Sequence, residues 1–171
     1  MPDTPDIPRP SQLWKRMSPE RRIQAAEAFW RDENANVEQG EAIATIAQRI
    51  KFRPKSVLSL SVEKKARYLV SLAAVSELVA ARLLVAYHLE QQRPMMASFL
   101  DALGIGHEDG LIAGDDIAPP DPAALRNAAT TLAGAYPPEE VALYLSTLVW
   151  QDPDTWGPLA ELPEIQNAMK V

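Results

Sequence analysis

Proline marks three helix starts in this chain. Ser18-Pro19 and Asp121-Pro122 each place a capping side chain before a proline at the first helical position, where a missing N–H is harmless. Tyr136-Pro137-Pro138-Glu139-Glu140 closes one helix and opens the next, with two carboxylates in the positive first turn. Between such starts the apolar residues recur at helical spacing. Ile43, Ile46, Ala47 and Ile50 fall at i, i+3, i+4 and i+7, and Val141, Tyr144, Leu145, Leu148 and Val149 form a similar face. No run of alternating β-branched and aromatic residues competes for a sheet. The pattern predicts an all-α bundle of about seven to eight helices, at 11–16, 19–33, 37–50, 62–92, 94–103, 122–135, 138–151 and 156–168.

The element at 62–92 is expected to be the long central apolar helix, with Ser76 available to cap a second helix if it breaks there. Its segment Leu69 to Leu89 has the length of a membrane span, but Glu77, Arg82 and His88 interrupt it. Charges near the middle of a spanning helix cost roughly 2.5–3.5 kcal/mol each. A buried bundle helix, without membrane contact, is the simpler expectation. The last two long helices meet at Tyr136–Pro137 and are expected to form a C-terminal hairpin.

With 171 residues, 47% of them apolar and 23% charged, the chain can build a core, and a single domain over 11–171 is expected after a flexible lead at 1–10. The absence of cysteine excludes disulfides, thiolate metal sites and cysteine nucleophiles, and fits the cytoplasm, where the protein is expected to reside. MPDTPDIPRP lacks the basic and apolar stretches of a signal peptide. Charge is unevenly spread: residues 1–94 hold 15 Lys and Arg against 11 Asp and Glu, whereas residues 95–171 hold 2 against 12. Mutual attraction between the halves is one reading, and a basic face for an anionic partner is the other.

Residues 43–60, IATIAQRIKFRPKSVLSL, resemble a helix-turn-helix unit of bacterial regulators. Ala47 stands at the small position of the first helix, with Ile46 and Ile50 as its core. Phe52 stands at the apolar site of the turn, Pro54 opens the second helix, and Val57 and Leu60 anchor it. Lys51 falls where the family usually has glycine, which implies a left-handed backbone on a lysine, and Leu58 would face outward. Seven cations against one acid lie between 49 and 67. The resemblance implies DNA as a partner, with Arg53, Lys55 and Ser59 offered to a groove and Lys64 and Lys65 to phosphates.

The segment Asp101–Pro122 holds four of the seven glycines, six acids, His107 and no Lys or Arg. It is expected to be a connector between the basic half, to about 94, and the acidic helices of 122–171. A calcium loop centred on Gly110 and ending at Asp116 fails, because Ile105 and His107 would stand at oxygen-ligand positions. His107-Glu108 begins like a zincin motif, but Leu111 replaces the second histidine. A metal site would have to join His88 with His107, Glu108 and Asp109, and would make the chain a metal-dependent enzyme. Otherwise His88, near a helix C-terminus and Glu90, is expected as a dipole-stabilised imidazolium.

No nucleophile elbow, phosphate loop, dinucleotide fingerprint or di-iron Glu-x-x-His pair occurs, so no catalytic residue and no cofactor is assigned. Trp14, Trp30, Trp150 and Trp156 are expected where core meets surface, and Met95, Met96, Phe99 and Leu100 as packing residues. The functional expectation is a non-catalytic helical binding protein with a protein partner or a small apolar ligand. A DNA-binding regulator and the metal-dependent enzyme are the alternatives.

Overall fold

The computed structural model describes residues 8–114, 117–163 and 165. Residues 1–7 of the expected lead, Asp116 of the calcium-loop comparison, and 164 and 166–168 of the expected last helix lie outside the described residues. The fold is all-α: among the described residues there are ten α-helices, one 3-10 turn and a single two-residue strand pair. They divide by contact into two compact units. One runs from Pro10 to Glu90, and the other takes in Gln91 onward together with residues 8–9.

The first unit holds α1 (Pro10–Arg16), α2 (Pro19–Arg31), α3 (Asn36–Ile50), α4 (Pro54–Leu58), α5 (Val62–Ser71) and α6 (Glu77–Gln91), whose last residue crosses the division. Pro10 therefore opens a helix instead of closing a lead. Ser18 caps α2 as its sequence promised, its Oγ accepting the Arg21 N–H at 3.2 Å. Helix α2 buries Ala25, Ala26, Ala28, Phe29 and Trp30, and packs on α5 through the buried Ala66 and Leu69. Small residues on α2 let the two helices approach closely. The Lys65 ammonium lies 5.0 Å from the Trp30 ring centroid, a cation–π contact between the same helices.

The expected element 62–92 is two helices. Residues 72–76 leave helical geometry, and Ser76 Oγ accepts the Val79 N–H at 3.2 Å to start α6. Each piece is short, and no helix among the described residues is long and apolar enough to cross a membrane. Glu77, the charge that interrupted the apolar run, bonds Ser11 through both the backbone N–H at 3.1 Å and the hydroxyl at 2.5 Å. Its carboxylate so satisfies an N-terminal donor of α1. Arg82, the second interrupting charge, donates to Asp32 at the end of α2 (Nε–Oδ2 2.9 Å, Nη2–Oδ2 2.7 Å).

The second unit holds α7 (Arg93–Ala102), β1 (His107–Glu108), β2 (Leu111–Ile112), α8 (Pro122–Ala135), α9 (Pro138–Gln151), α10 (Pro153–Trp156) and a 3-10 turn at Gly157–Glu161. Asp121 caps α8 by accepting the Ala123 N–H at 3.2 Å, and α8 and α9 pack as the expected hairpin. Phe99 of α7 packs edge-on to Tyr144 of α9, at 5.8 Å between centroids, and lies 6.0 Å from Trp156. Burial pushes the Tyr144 phenol pKa upward by penalising the phenolate. Met95, Met96, Phe99 and Leu100 are all buried, as are Trp14, Trp30 and Trp156, whereas Trp150 is exposed.

The glycine-rich segment departs from the expectation of a chain without strands. His107 pairs with Ile112 and Glu108 with Leu111, in an antiparallel hairpin extended by Ala113 N–H to Gly106 O at 3.1 Å. Its turn residues Asp109 and Gly110 both have positive φ, 51° and 89°, which matches the right-handed twist of a two-residue hairpin turn. The hairpin lies wholly inside the second unit and packs on α7. Arg93 Nη1 donates to the Asp109 carbonyl at 3.0 Å, and a Cβ on Gly110 would stand 3.0 Å from Met96 Cβ and 3.1 Å from the Arg93 carbonyl.

Gly110 therefore answers to two demands, backbone hand and close approach, whereas Gly104 at φ 68° has open space around it. Gly104→Ala should cost about 1 kcal/mol and Gly110→Ala about 3 kcal/mol. Urea denaturation of the two variants checks the ordering, and equal losses would show that the α7 contact is unimportant.

Candidate functional site

The basic segment that resembled a helix-turn-helix unit forms a corner between α3 and α4. Helix α3 ends at Ile50, and Lys51 turns the chain in the left-handed region at φ 59° and ψ 35°. The Lys51 N–H bonds the Ala47 carbonyl, and the Phe52 N–H reaches the same carbonyl at 3.0 Å, as in a Schellman ending. A lysine thus takes the conformation that glycine usually supplies, as the motif required. Arg53 is extended, and Pro54 starts α4 with its fixed φ. Ala47 and Ile46 are buried, and so is Val57, the one fully buried residue of α4.

Phe52 does not fill the turn's apolar site as expected. It is 48% exposed, and Leu58 is 59% exposed. Of the five residues of α4 only Val57 is buried. Leu58 shares its face of α4 with Lys55 and Pro54, three and four residues back. Arg49, Lys51, Arg53 and Lys55 are exposed, and they pair with no carboxylate among the described residues. The segment therefore exposes two large apolar side chains together with four cations that have no carboxylate partner among the described residues. The signal for Phe52 and Leu58 was present in the sequence, since neither lies on the i, i+3 line of the buried residues.

The remaining cations of this segment differ in availability. Lys64 is exposed near the start of α5, where its N–H bonds the Ser61 cap at 3.3 Å. Lys65 is half-buried and held over Trp30, so it serves the α2–α5 contact. The Ser59 hydroxyl is exposed and donates to the Ser56 carbonyl at 2.9 Å.

The proposed metal residues are distributed over both units. His88 belongs to α6 in the first, and His107, Glu108 and Asp109 belong to the hairpin in the second. His107 Nδ1 accepts the Gly110 N–H at 3.1 Å, so Nε2 carries the proton that bridges to Asp101 Oδ1 at 2.6 Å. Both imidazole nitrogens thereby serve the hairpin. The Asp109 carboxylate lies 3.8 Å from Arg93, and Glu108 is exposed. No group of three or more His, Asp or Glu able to hold a metal ion occurs among the described residues.

His88 is not the expected imidazolium. It is buried beside Tyr87, with ring centroids 5.5 Å apart, and burial lowers its pKa to about 4 against the opposing Leu84 backbone contact. Glu90, the expected partner, instead takes Arg31 in a two-point pair at 2.9 and 2.6 Å. Below its ordinary pKa of 6.5, His88 is protonated in the unfolded chain and stays neutral in the folded one until about pH 4. Its contribution is thus complete above pH 6.5 and is lost as pH falls toward 4, at about 1.4 kcal/mol per pH unit. The difference in unfolding free energy between the native chain and His88→Leu, measured across this window, should show that slope. A flat difference would place the histidine in contact with water.

Comparison with protein-family models, with curated proteins and with solved structures finds no match to this chain.

Proposed function

We propose that the chain is a non-catalytic binding protein and that the α3–α4 corner is its working surface. One observation carries this reading: Phe52 and Leu58 stand exposed among Arg49, Lys51, Arg53 and Lys55, none of which has an acid to pair with among the described residues. Scattered surface leucines need no explanation, but two large exposed apolar residues in a short segment with four exposed cations and no acid make a surface of mixed character suited to a partner. If the pair is kept for binding, it contributes little to the fold. Phe52→Ser combined with Leu58→Ser should leave the unfolding free energy within about 0.5 kcal/mol of the native chain. A loss of about 2 kcal/mol or more would make them packing residues and end the proposal.

A DNA-binding regulator is the second reading. It draws on the left-handed Lys51, the buried Ala47 and Val57, and the exposed Arg53, Lys55 and Lys64, which all accord with the helix-turn-helix resemblance. Fluorescence polarisation with duplex DNA at low salt tests it. Binding should weaken with added salt, and Arg53→Ala with Lys55→Ala should weaken it further. An absence of binding, or binding indifferent to the double substitution, removes this reading.

A further inference from the structure

We infer that the occupant of the α3–α4 corner is an acidic amphipathic segment of another protein, carrying apolar side chains on one face and carboxylates beside them. This rests on the reading of the corner as a docking surface and names its partner. The argument is charge complementarity joined to apolar content. Four cations without a carboxylate partner among the described residues call for anionic groups, and the four lie within seven residues, 49 to 55, with no acid among them. Phe52 and Leu58 call for something phosphate does not supply. At 48% and 59% exposure they hold apolar surface that only an apolar partner group can remove from water.

The same features disfavour the other anionic macromolecules. A five-residue helix rises only about 8 Å and offers few side chains to base edges in a groove about 12 Å wide. Lys65, one of the cations a duplex would use, is committed to Trp30. The chain as a whole carries −6, which opposes the approach of a long polyanion but barely affects a short acidic segment within a screening length. A lipid surface favours a broad apolar face with many basic residues, and here Phe52 and Leu58 are the two large apolar side chains exposed in the segment. A short helix or extended strand bearing leucine and glutamate would instead meet both parts of the corner. Its apolar groups would cover Phe52 and Leu58, and its carboxylates would reach Arg53 and Lys55.

The test is fluorescence anisotropy on the full chain with four probes. These are a labelled peptide with leucines at helical spacing and glutamates elsewhere, the same peptide with its leucines changed to serine, a duplex DNA, and phosphatidylserine vesicles. The leucine–glutamate peptide should bind at least about tenfold more tightly than its serine counterpart. It should lose about tenfold with Phe52→Ser/Leu58→Ser and, independently, with Arg53→Glu/Lys55→Glu, and its affinity should fall as salt rises. Thermal unfolding of both double variants checks that they remain folded. Equal binding of the two peptides, or insensitivity to either double variant, overturns the inference. Tighter binding of the duplex or the vesicles through the same residues overturns the partner while leaving the corner as a docking surface. If no probe responds to either double variant, the docking reading itself falls.

Discussion

Short helices impose the constraint on which this structure depends. Each helix leaves up to four N–H groups and four carbonyls without a partner inside it, and none of the described helices exceeds fifteen residues. The chain therefore meets unsatisfied ends every few turns. It answers with prolines that lack the N–H, with Ser18, Ser61, Ser76, Asp121 and Asp152 as caps, and with side chains sent from elsewhere in the unit. Gln39 reaches back from α3 to the Phe29 and Asp32 carbonyls at the end of α2, at 2.8 and 2.9 Å. Glu77 serves the start of α1 in the same way.

These end contacts also place the candidate site. Asp32 holds the corner between α2 and α3 through the Asn34 N–H and through Arg82 of α6. With that corner held, α3 has a fixed start, and its left-handed ending at Lys51 leads the chain into Phe52 and Arg53, both exposed. Val57 then ties α4 down with a single buried side chain. A segment attached so economically leaves its neighbours in solvent, and Lys51, Lys55 and Leu58 are all exposed.

Much of this was legible in the sequence, and what was not has a physical reason. Caps and proline starts were readable because they act within four residues. Ser76 as a cap was readable for the same reason, although only the structure shows the preceding four residues leaving the helix. The Asp109-Gly110 hairpin was equally local, and its two-residue turn signal was obscured by the surrounding glycines and acids, which suggested a ligand loop. The fate of His88 was not local. Proximity to a helix C-terminus and Glu90 suggested a charged ring, but Arg31, fifty-nine residues away from Glu90, claimed the carboxylate while the ring turned into the core. Lys65 likewise was one cation among seven until Trp30 was brought beneath it.

Alone, the sequence determined that the chain is helical, where most helices begin, and that residues 49–55 carry cations without acids, since capping, periodicity and local charge are all properties of neighbouring residues. Tertiary structure alone decided which charges are spent and which remain free. Arg31, Arg82 and Arg93 found carboxylates elsewhere in their units, whereas Arg49, Lys51, Arg53 and Lys55 have none among the described residues. It also decided that Val57 would take the one buried place on α4, leaving Phe52 and Leu58 in water. A short helix offers one narrow side to its neighbour, and only the packed neighbour selects which residue occupies it.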